Sequence, residues 1–293
     1  MNNIEILVAT HKQVPMPNEE IYIPIHVGRQ GKKELGYIGD NTGENISLKN
    51  PNYCELTALY WYLKNKINND SIKYVGLNHY RRYFLPDVKE FENSSIVRIN
   101  FQQWQDVCSM NKGFINKALE EYDAILPKKR VYPISVKSQY STMHIKEHLL
   151  KVVNIISNDY PSYLETTKKY LNQNKSHLYN MFIIKKEHFI KMMEWIFDIL
   201  FKLEKEIEIP SNTQQARVFG FLSERLVNIY IINNNIKVKE LPVAFITDNL
   251  KIECDNYKNN KNVNNFVFNI GNKLWDYIFF NKNIKIKSSK SKK

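Results

Sequence analysis

The stretch Tyr74-Val75-Gly76-Leu77-Asn78-His79-Tyr80-Arg81-Arg82-Tyr83-Phe84 decides how this chain is read. It opens as a short apolar strand and closes on His-Tyr-Arg-Arg-Tyr. Arginine is seldom buried without a partner. Its planar fork suits phosphate and carboxylate, often through two parallel hydrogen bonds. In open α/β sheets, ligands bind beyond the carboxyl ends of the strands. A strand that delivers His79, Arg81 and Arg82 at that end therefore predicts a site for a phosphorylated ligand. The plainer alternative pairs the arginines with carboxylates to tie down a loop and makes His79 a hydrogen-bonded core residue.

Outward from this stretch, residues 4–9 form a near-continuous apolar run, as expected of a buried parallel strand. Residues 21–27 read as a second strand. Residues 28–52, rich in Gly and Asn, read as a long loop of the kind that is often functional. Asn52 is placed to cap a helix over residues 53–65. Residues 86–118 are ambiguous, with helical patterns at 101–108 and 112–122. A short strand follows at 123–127, then helices at 144–157 and 162–173, and a strand at 180–184. The apolar period through Phe189, Met193, Ile196, Phe197, Leu200 and Leu203 predicts a helix over 186–206 with a core-facing stripe. Another helix is expected over 217–231, and an alternating edge strand over 237–245 broken by Pro242. Strands alternating with helices argue an α/β fold around a largely parallel sheet.

The 293 residues carry 43% hydrophobic side chains, 13% aromatics and a net charge of +12. No apolar run is long enough for a membrane helix, and no signal-peptide pattern opens the chain. Cys54, Cys108 and Cys254 fit neither a disulfide framework nor a zinc spacing. A cytoplasmic protein is expected. The composition divides the chain into a catalytic domain over 1–250 and, over 251–293, an Asn/Lys-rich linker, an aromatic segment and a basic tail. The last thirteen residues hold six lysines and no acid, just after Leu274-Trp275-Asp276-Tyr277-Ile278-Phe279-Phe280. Aromatics followed by lysines suit an anionic membrane surface and peripheral attachment; a solvated tail is the alternative. Base-recognition modules are absent, so nucleic acid is not an expected partner.

Several blocks together carry a family resemblance. They are Ile6-Leu7-Val8-Ala9-Thr10-His11-Lys12, Asp40-Asn41-Thr42-Gly43-Glu44-Asn45-Ile46-Ser47 and Tyr53-Cys54-Glu55-Leu56-Thr57-Ala58-Leu59-Tyr60-Trp61. After His79 to Phe84 come Gln139-Tyr140 with His144, Asn180-Met181-Phe182-Ile183, and Phe219-Gly220-Phe221-Leu222-Ser223-Glu224-Arg225-Leu226. The chain resembles the bacterial capsule and exopolysaccharide glycosyltransferases filed as domain-of-unknown-function family 4422. That resemblance implies a Rossmann-like glycosyltransferase fold of the A type: a mostly parallel central sheet flanked by helices, here with a C-terminal helical and basic extension. It also implies a UDP-sugar donor, with galactofuranose or galactose as the transferred sugar, and a growing polysaccharide or lipid-linked acceptor.

Such a transfer needs the nucleotide held, the leaving diphosphate neutralised and, for inversion, a base for the acceptor hydroxyl. Thr10, His11 and Lys12 at the first strand's end are candidates for the nucleotide, with Asp40, Asn45 and Lys49 closing over it. No Gly-x-Gly-x-x-Gly or Walker lysine motif is present. Many A-type transferases place a metal-holding Asp-x-Asp where this chain has Asn78-His79-Tyr80-Arg81. The pairs Glu121/Asp123, Glu204/Glu206 and Glu253/Asp255 read as solvated charges. His79, Arg81 and Arg82 are thus the candidates for the diphosphate. His79 can also ligate Mn²⁺ or Mg²⁺, and no metal ligand set is assigned. Glu224 ranks first as base, with Arg217 and Arg225 to keep it ionised; Asp40 and Glu55 follow. Asn180, Gln139, Tyr140 and His144 are candidates for sugar contacts, and Trp61 and Trp104 for an acceptor groove. The competing function is a non-catalytic polyanion- or membrane-binding protein with a basic surface. A metal-dependent phosphate-ester enzyme would need clustered acids that the sequence does not offer.

Overall fold

The apolar run at residues 4–9 becomes β1 (Ile4–Thr10), flanked by parallel β2 (Tyr22–His26) and β4 (Tyr74–His79), with β3 (Ile38–Gly39) parallel beyond β2. The computed structural model describes residues 3–86, 89–91, 93–110, 113–248 and 253–256. The strands of this parallel core are apolar on both faces because each face meets a packed layer. Leu7, Ala9, Val75 and Leu77 join one apolar cluster, whereas Ile4, Ile6 and Val8 join the other. Each fully buried Leu, Ile or Val side chain contributes about 1.5–3 kcal/mol relative to exposure.

The chain is a mixed α/β fold with a central, mostly parallel sheet between helices. β10 (Phe182–Lys185) lies antiparallel between β4 and β7 (Ala124–Pro127), and β11 (Val238–Leu241) closes that edge parallel to β7. At Gly76 a Cβ would sit 2.8 Å from the Phe182 carbonyl oxygen and 2.9 Å from an Ile183 carbon. Only glycine lets β4 approach β10 this closely.

The decisive stretch is a hairpin. β4 reverses through Tyr80-Arg81 into antiparallel β5 (Arg82–Phe84), with His79 opposite Arg82. β5 pairs with β12 (Val243–Ile246), which runs parallel to β6 (Ser94–Ile99). Pro242 splits the expected strand at 237–245: β11 is an edge strand, whereas β12 is paired on both sides. β13 (Glu253–Asn256) adds antiparallel to β6. The sheet therefore runs past the 250/251 boundary read from composition. The aromatic segment and lysine tail lie outside the described residues.

The helix expected over residues 53–65 is broken. α1 (Asn50–Tyr53) ends at Cys54, whose φ of 54° is left-handed, and α2 (Leu56–Asn65) starts after Glu55. α2 shares one layer with α5 (Val136–Met143), α6 (Lys146–Asp159), α7 (Pro161–Asn172), α8 (Lys186–Glu204) and α9 (Val218–Asn233). α3 (Phe101–Met110) and α4 (Phe114–Glu121) cover the opposite face. A separate ribbon pairs β8 (Arg130–Val131) with β9 (Lys175–Ser176). No helix among the described residues is long and apolar enough to cross a membrane.

Candidate active site

The carboxyl ends of β1, β2 and β4 open into one cleft of about 540 Å³. Ala9 and His11 leave β1, Val27 follows β2, and the β4–β5 hairpin contributes His79 through Arg82. The break between α1 and α2 places Cys54 and Glu55 on the wall, and Arg217 and Phe245 complete it. Because the parallel strands end together, their unpaired loops converge here.

The cleft is rich in cations. Among the described residues, none of Arg81, Arg82 and Arg217 forms an ion pair with a carboxylate. The Arg82 guanidinium lies between the rings of Tyr179 and Phe245, 4.9 and 5.3 Å from their centroids, and its buried Nε has no hydrogen-bond partner. Arg81 rests on Tyr80, and Arg217 Nε donates to Cys54 Sγ at 3.2 Å. Burial, aided by Lys12, Lys32, Arg81 and Arg217, lowers the pKa of His11. Burial and Glu55 raise the Cys54 thiol to about 12 against the pull of Arg217, so it is a thiol, not a thiolate, at neutral pH.

Two consecutive non-glycine residues in left-handed conformation, Tyr179 (φ 75°) and Asn180 (φ 53°), tie the wall together. Such backbone strain persists only where its surroundings over-determine it. The Tyr179 carbonyl is 2.6 Å from His79 Nε2 and can only accept, so that nitrogen carries the proton. Burial lowers the His79 pKa, with Arg82 acting in the same direction and Glu55 opposing. The Tyr179 N–H donates to Glu224 Oε1 at 2.9 Å. Asn180 Nδ2 donates to Glu55 Oε1 at 2.7 Å and to the Gly220 carbonyl at 3.1 Å.

The acids separate by this geometry. Glu55 lines the cleft, with Oε1 accepting from Asn180 and no hydrogen bond to Oε2 among the described residues. Glu224 does not line it: Oε1 takes the Tyr179 N–H and Oε2 lies 2.9 Å from Arg225 Nη1. Burial raises its pKa, opposed by Arg225 and the Tyr179 N–H. Asp40 is fully buried and spent on the 28–47 loop. It accepts Gly28 N at 2.7 Å, Arg29 N at 3.0 Å and Ser47 Oγ at 2.5 Å. By position, Glu55 lines the cleft, whereas Glu224 and Asp40 are bonded away from it.

Other expected site residues lie elsewhere. Thr10 is buried, with Oγ1 donating to the Lys12 carbonyl at 2.7 Å, and Asn45 bonds within its own loop to Gly43 and Ser47. Lys12 is exposed beside the mouth. Lys49 pairs with Glu204 at 2.7 Å. Gln139, Tyr140 and His144 gather around Arg225 rather than in the cleft. Gln139 Oε1 accepts from Arg225 Nη2 at 2.8 Å, and Tyr140 lies under its guanidinium. His144 stacks on Phe221, and burial together with Arg225 lowers its pKa to about 4. Trp61 and Trp104 are core residues whose indole N–H groups donate to Thr42 Oγ1 and to the Phe84 carbonyl. Cys54, Tyr80 and Phe245 were missed as wall residues. The His11–Tyr80 edge contact and the sandwich on Arg82 depend on the hairpin, which apolar periodicity does not signal.

A family model described as domain of unknown function (DUF4422) matches residues 5–235. The apo structure of WbbM, a bifunctional glycosyltransferase, is similar over 84% of this chain at 32% identity with a TM-score of 0.74. The chain spans about half of that structure, 46% of its length. No curated protein matches the chain.

Proposed function

The chain belongs to the DUF4422 family, and from that premise we propose that it is a glycosyltransferase moving a sugar from a UDP-sugar to a saccharide hydroxyl. The observation that carries this is the pairing of three guanidinium groups free of carboxylate partners with one Asn-held carboxylate in a single cleft. Arg81, Arg82 and Arg217 receive the diphosphate, and their charge offsets what develops as it leaves. Glu55 Oε2 is the base. The acceptor oxygen bonds to the anomeric carbon while the bond from that carbon to the diphosphate oxygen breaks. The electron pair departs with UDP and the hydroxyl proton moves to Glu55, with inversion. His79 keeps its Nε2 proton on the Tyr179 carbonyl.

The donor set for a divalent cation in the cleft is thin. His11, Cys54, Glu55 and His79 line it, yet among the described residues no three His, Cys, Asp or Glu side chains converge to hold an ion. No step is routed through a metal. Galactose and galactofuranose are the first donor sugars to test. The setting we propose is surface-polysaccharide assembly on a growing or lipid-linked chain at the inner face of the cell membrane, with the lysines of 281–293 near anionic headgroups.

The test is a thermal-shift series with UDP, GDP, CMP, UDP-galactose and UDP-galactofuranose, each with EDTA or Mn²⁺. A ligand that binds only the folded chain raises its stability by mass action. A shift with the uridine compounds that survives EDTA supports the proposal. Loss of the shift in EDTA sinks the metal-free neutralisation. No shift with any nucleotide favours the polyanion-binding alternative.

A further inference from the structure

A second cavity, of about 570 Å³, adjoins the cationic cleft and shares Tyr80, Arg81 and Phe245 with it. Its chemistry differs. Rings of Tyr80, Phe101 and Phe245 meet the amides of Asn100 and Gln102, and Asp248 stands opposite Arg81 in charge. Asn100 uses Oδ1 to accept the Gln103 N–H at 2.9 Å, which leaves its NH₂ to donate. Gln102 uses Nε2 on Asp106 at 2.8 Å, which leaves its carbonyl to accept. Aromatic faces with a few spaced donors and acceptors suit a neutral polyhydroxylated ring; they offer little to a diphosphate. Arg81 is the only arginine it shares with the cleft; Arg82 and Arg217 line the cleft alone, and Asp248 lines this cavity alone.

We propose that this cavity is the acceptor subsite and that it takes a neutral saccharide whose reacting hydroxyl crosses the Tyr80–Arg81–Phe245 ridge towards the donor. The inference rests on the glycosyltransferase reading and adds the place and the chemical class of the acceptor. Position supports it, because two cavities meeting at a shared ridge hold two reactants within one reaction volume. Gln102 and Asp248 are exposed and sit at the start of α3 and after β12, so replacing them leaves the apolar core untouched.

The experiment is saturation-transfer NMR with methyl glycosides of galactose, glucose, N-acetylglucosamine and rhamnose at millimolar concentration, in the presence of UDP. Wild-type protein is expected to transfer saturation to the ring protons of at least one glycoside. Gln102→Trp, which fills the cavity, and Asp248→Ala should weaken that binding about tenfold while the UDP thermal shift persists. Absence of transfer from the wild type to every glycoside overturns the proposal, as does transfer that survives both substitutions. The two readings fail separately. A protein blind to UDP whose variants lose the glycoside signal sinks the nucleotide donor and keeps the saccharide cavity. A protein that binds UDP with indifferent variants does the reverse.

Discussion

Asp40→Asn separates a scaffold acid from a catalytic one. The carboxylate is fully buried and receives two backbone N–H groups and a serine hydroxyl, with Gly28 on one oxygen and Arg29 and Ser47 on the other. Asparagine keeps only one accepting oxygen. If its NH₂ replaces the oxygen facing Gly28, that N–H is orphaned. If it replaces the other, Ser47 can rotate to accept, but the Arg29 N–H cannot. Either orientation loses a charge-assisted bond and strands a buried donor, which together cost about 3 kcal/mol. With a urea slope near 3 kcal/mol per molar, the unfolding midpoint should fall by about 1 M. The assay is urea denaturation followed by far-UV circular dichroism, alongside UDP binding and turnover measured well below the new midpoint. Near-normal turnover in the still-folded variant is the expected companion result. A midpoint equal to the parent's combined with lost turnover would refute the scaffold assignment and return Asp40 to the catalytic candidates.

Glu55→Gln keeps the acceptor for Asn180 but removes the base; kcat should drop roughly 100- to 10,000-fold with the UDP shift intact, and unchanged turnover would reject Glu55. Arg82→Ala should weaken UDP binding about thirtyfold, the equivalent of about 2 kcal/mol for a lost charge-assisted contact, as read by calorimetry; parental affinity would remove Arg82 from the diphosphate site. Burial lowers His144 and His177 to about 4. The unfolded chain then binds more protons than the folded one between pH 6.5 and about 4, so stability is full above that window and declines as pH falls through it. A urea midpoint that is flat from pH 7 to 4.5 would contradict this. Cys54, its thiol pushed up to about 12, should react with iodoacetamide at pH 7.5 far more slowly than an ordinary exposed cysteine; mass spectrometry after timed alkylation reads the difference.

Much of the sheet was legible because β1 and β4 are buried on both faces and so carry near-continuous apolar runs, interrupted in β1 only at Glu5. Strand direction was not. The run at residues 182–184 reads the same whether parallel or, as found, antiparallel between β4 and β7. His79, Arg81 and Arg82 are expected at a strand's carboxyl end from residue type and place, and all three line the cleft there. Where each acid lies is not legible, because a carboxylate bonded to backbone amides and one lining a cleft look alike in sequence. Glu55 reaches the cleft only because Cys54 breaks the helix with a left-handed φ, and no residue preference for cysteine signals that. Gln139, Tyr140 and His144 were read together and do cluster, but around Arg225, since α5 and the residue that follows it pack against α9.

The sandwiched Arg82, with Arg81 and Arg217 near it, has a consequence for the chain in its ordinary milieu. Uncompensated positive charge attracts any small dianion, and inorganic phosphate is abundant in cells. If the cleft takes a nucleotide donor as proposed, it is a contested one, in which that donor must displace a rival held by the same guanidinium groups. Discrimination between the two has to be a difference of affinities, and charge contributes nearly equally to both. It must come from the uncharged walls, such as His11 and Tyr80, which a nucleoside can touch and a bare phosphate cannot. Measured donor affinity should accordingly depend on the buffer anion as much as on the sugar.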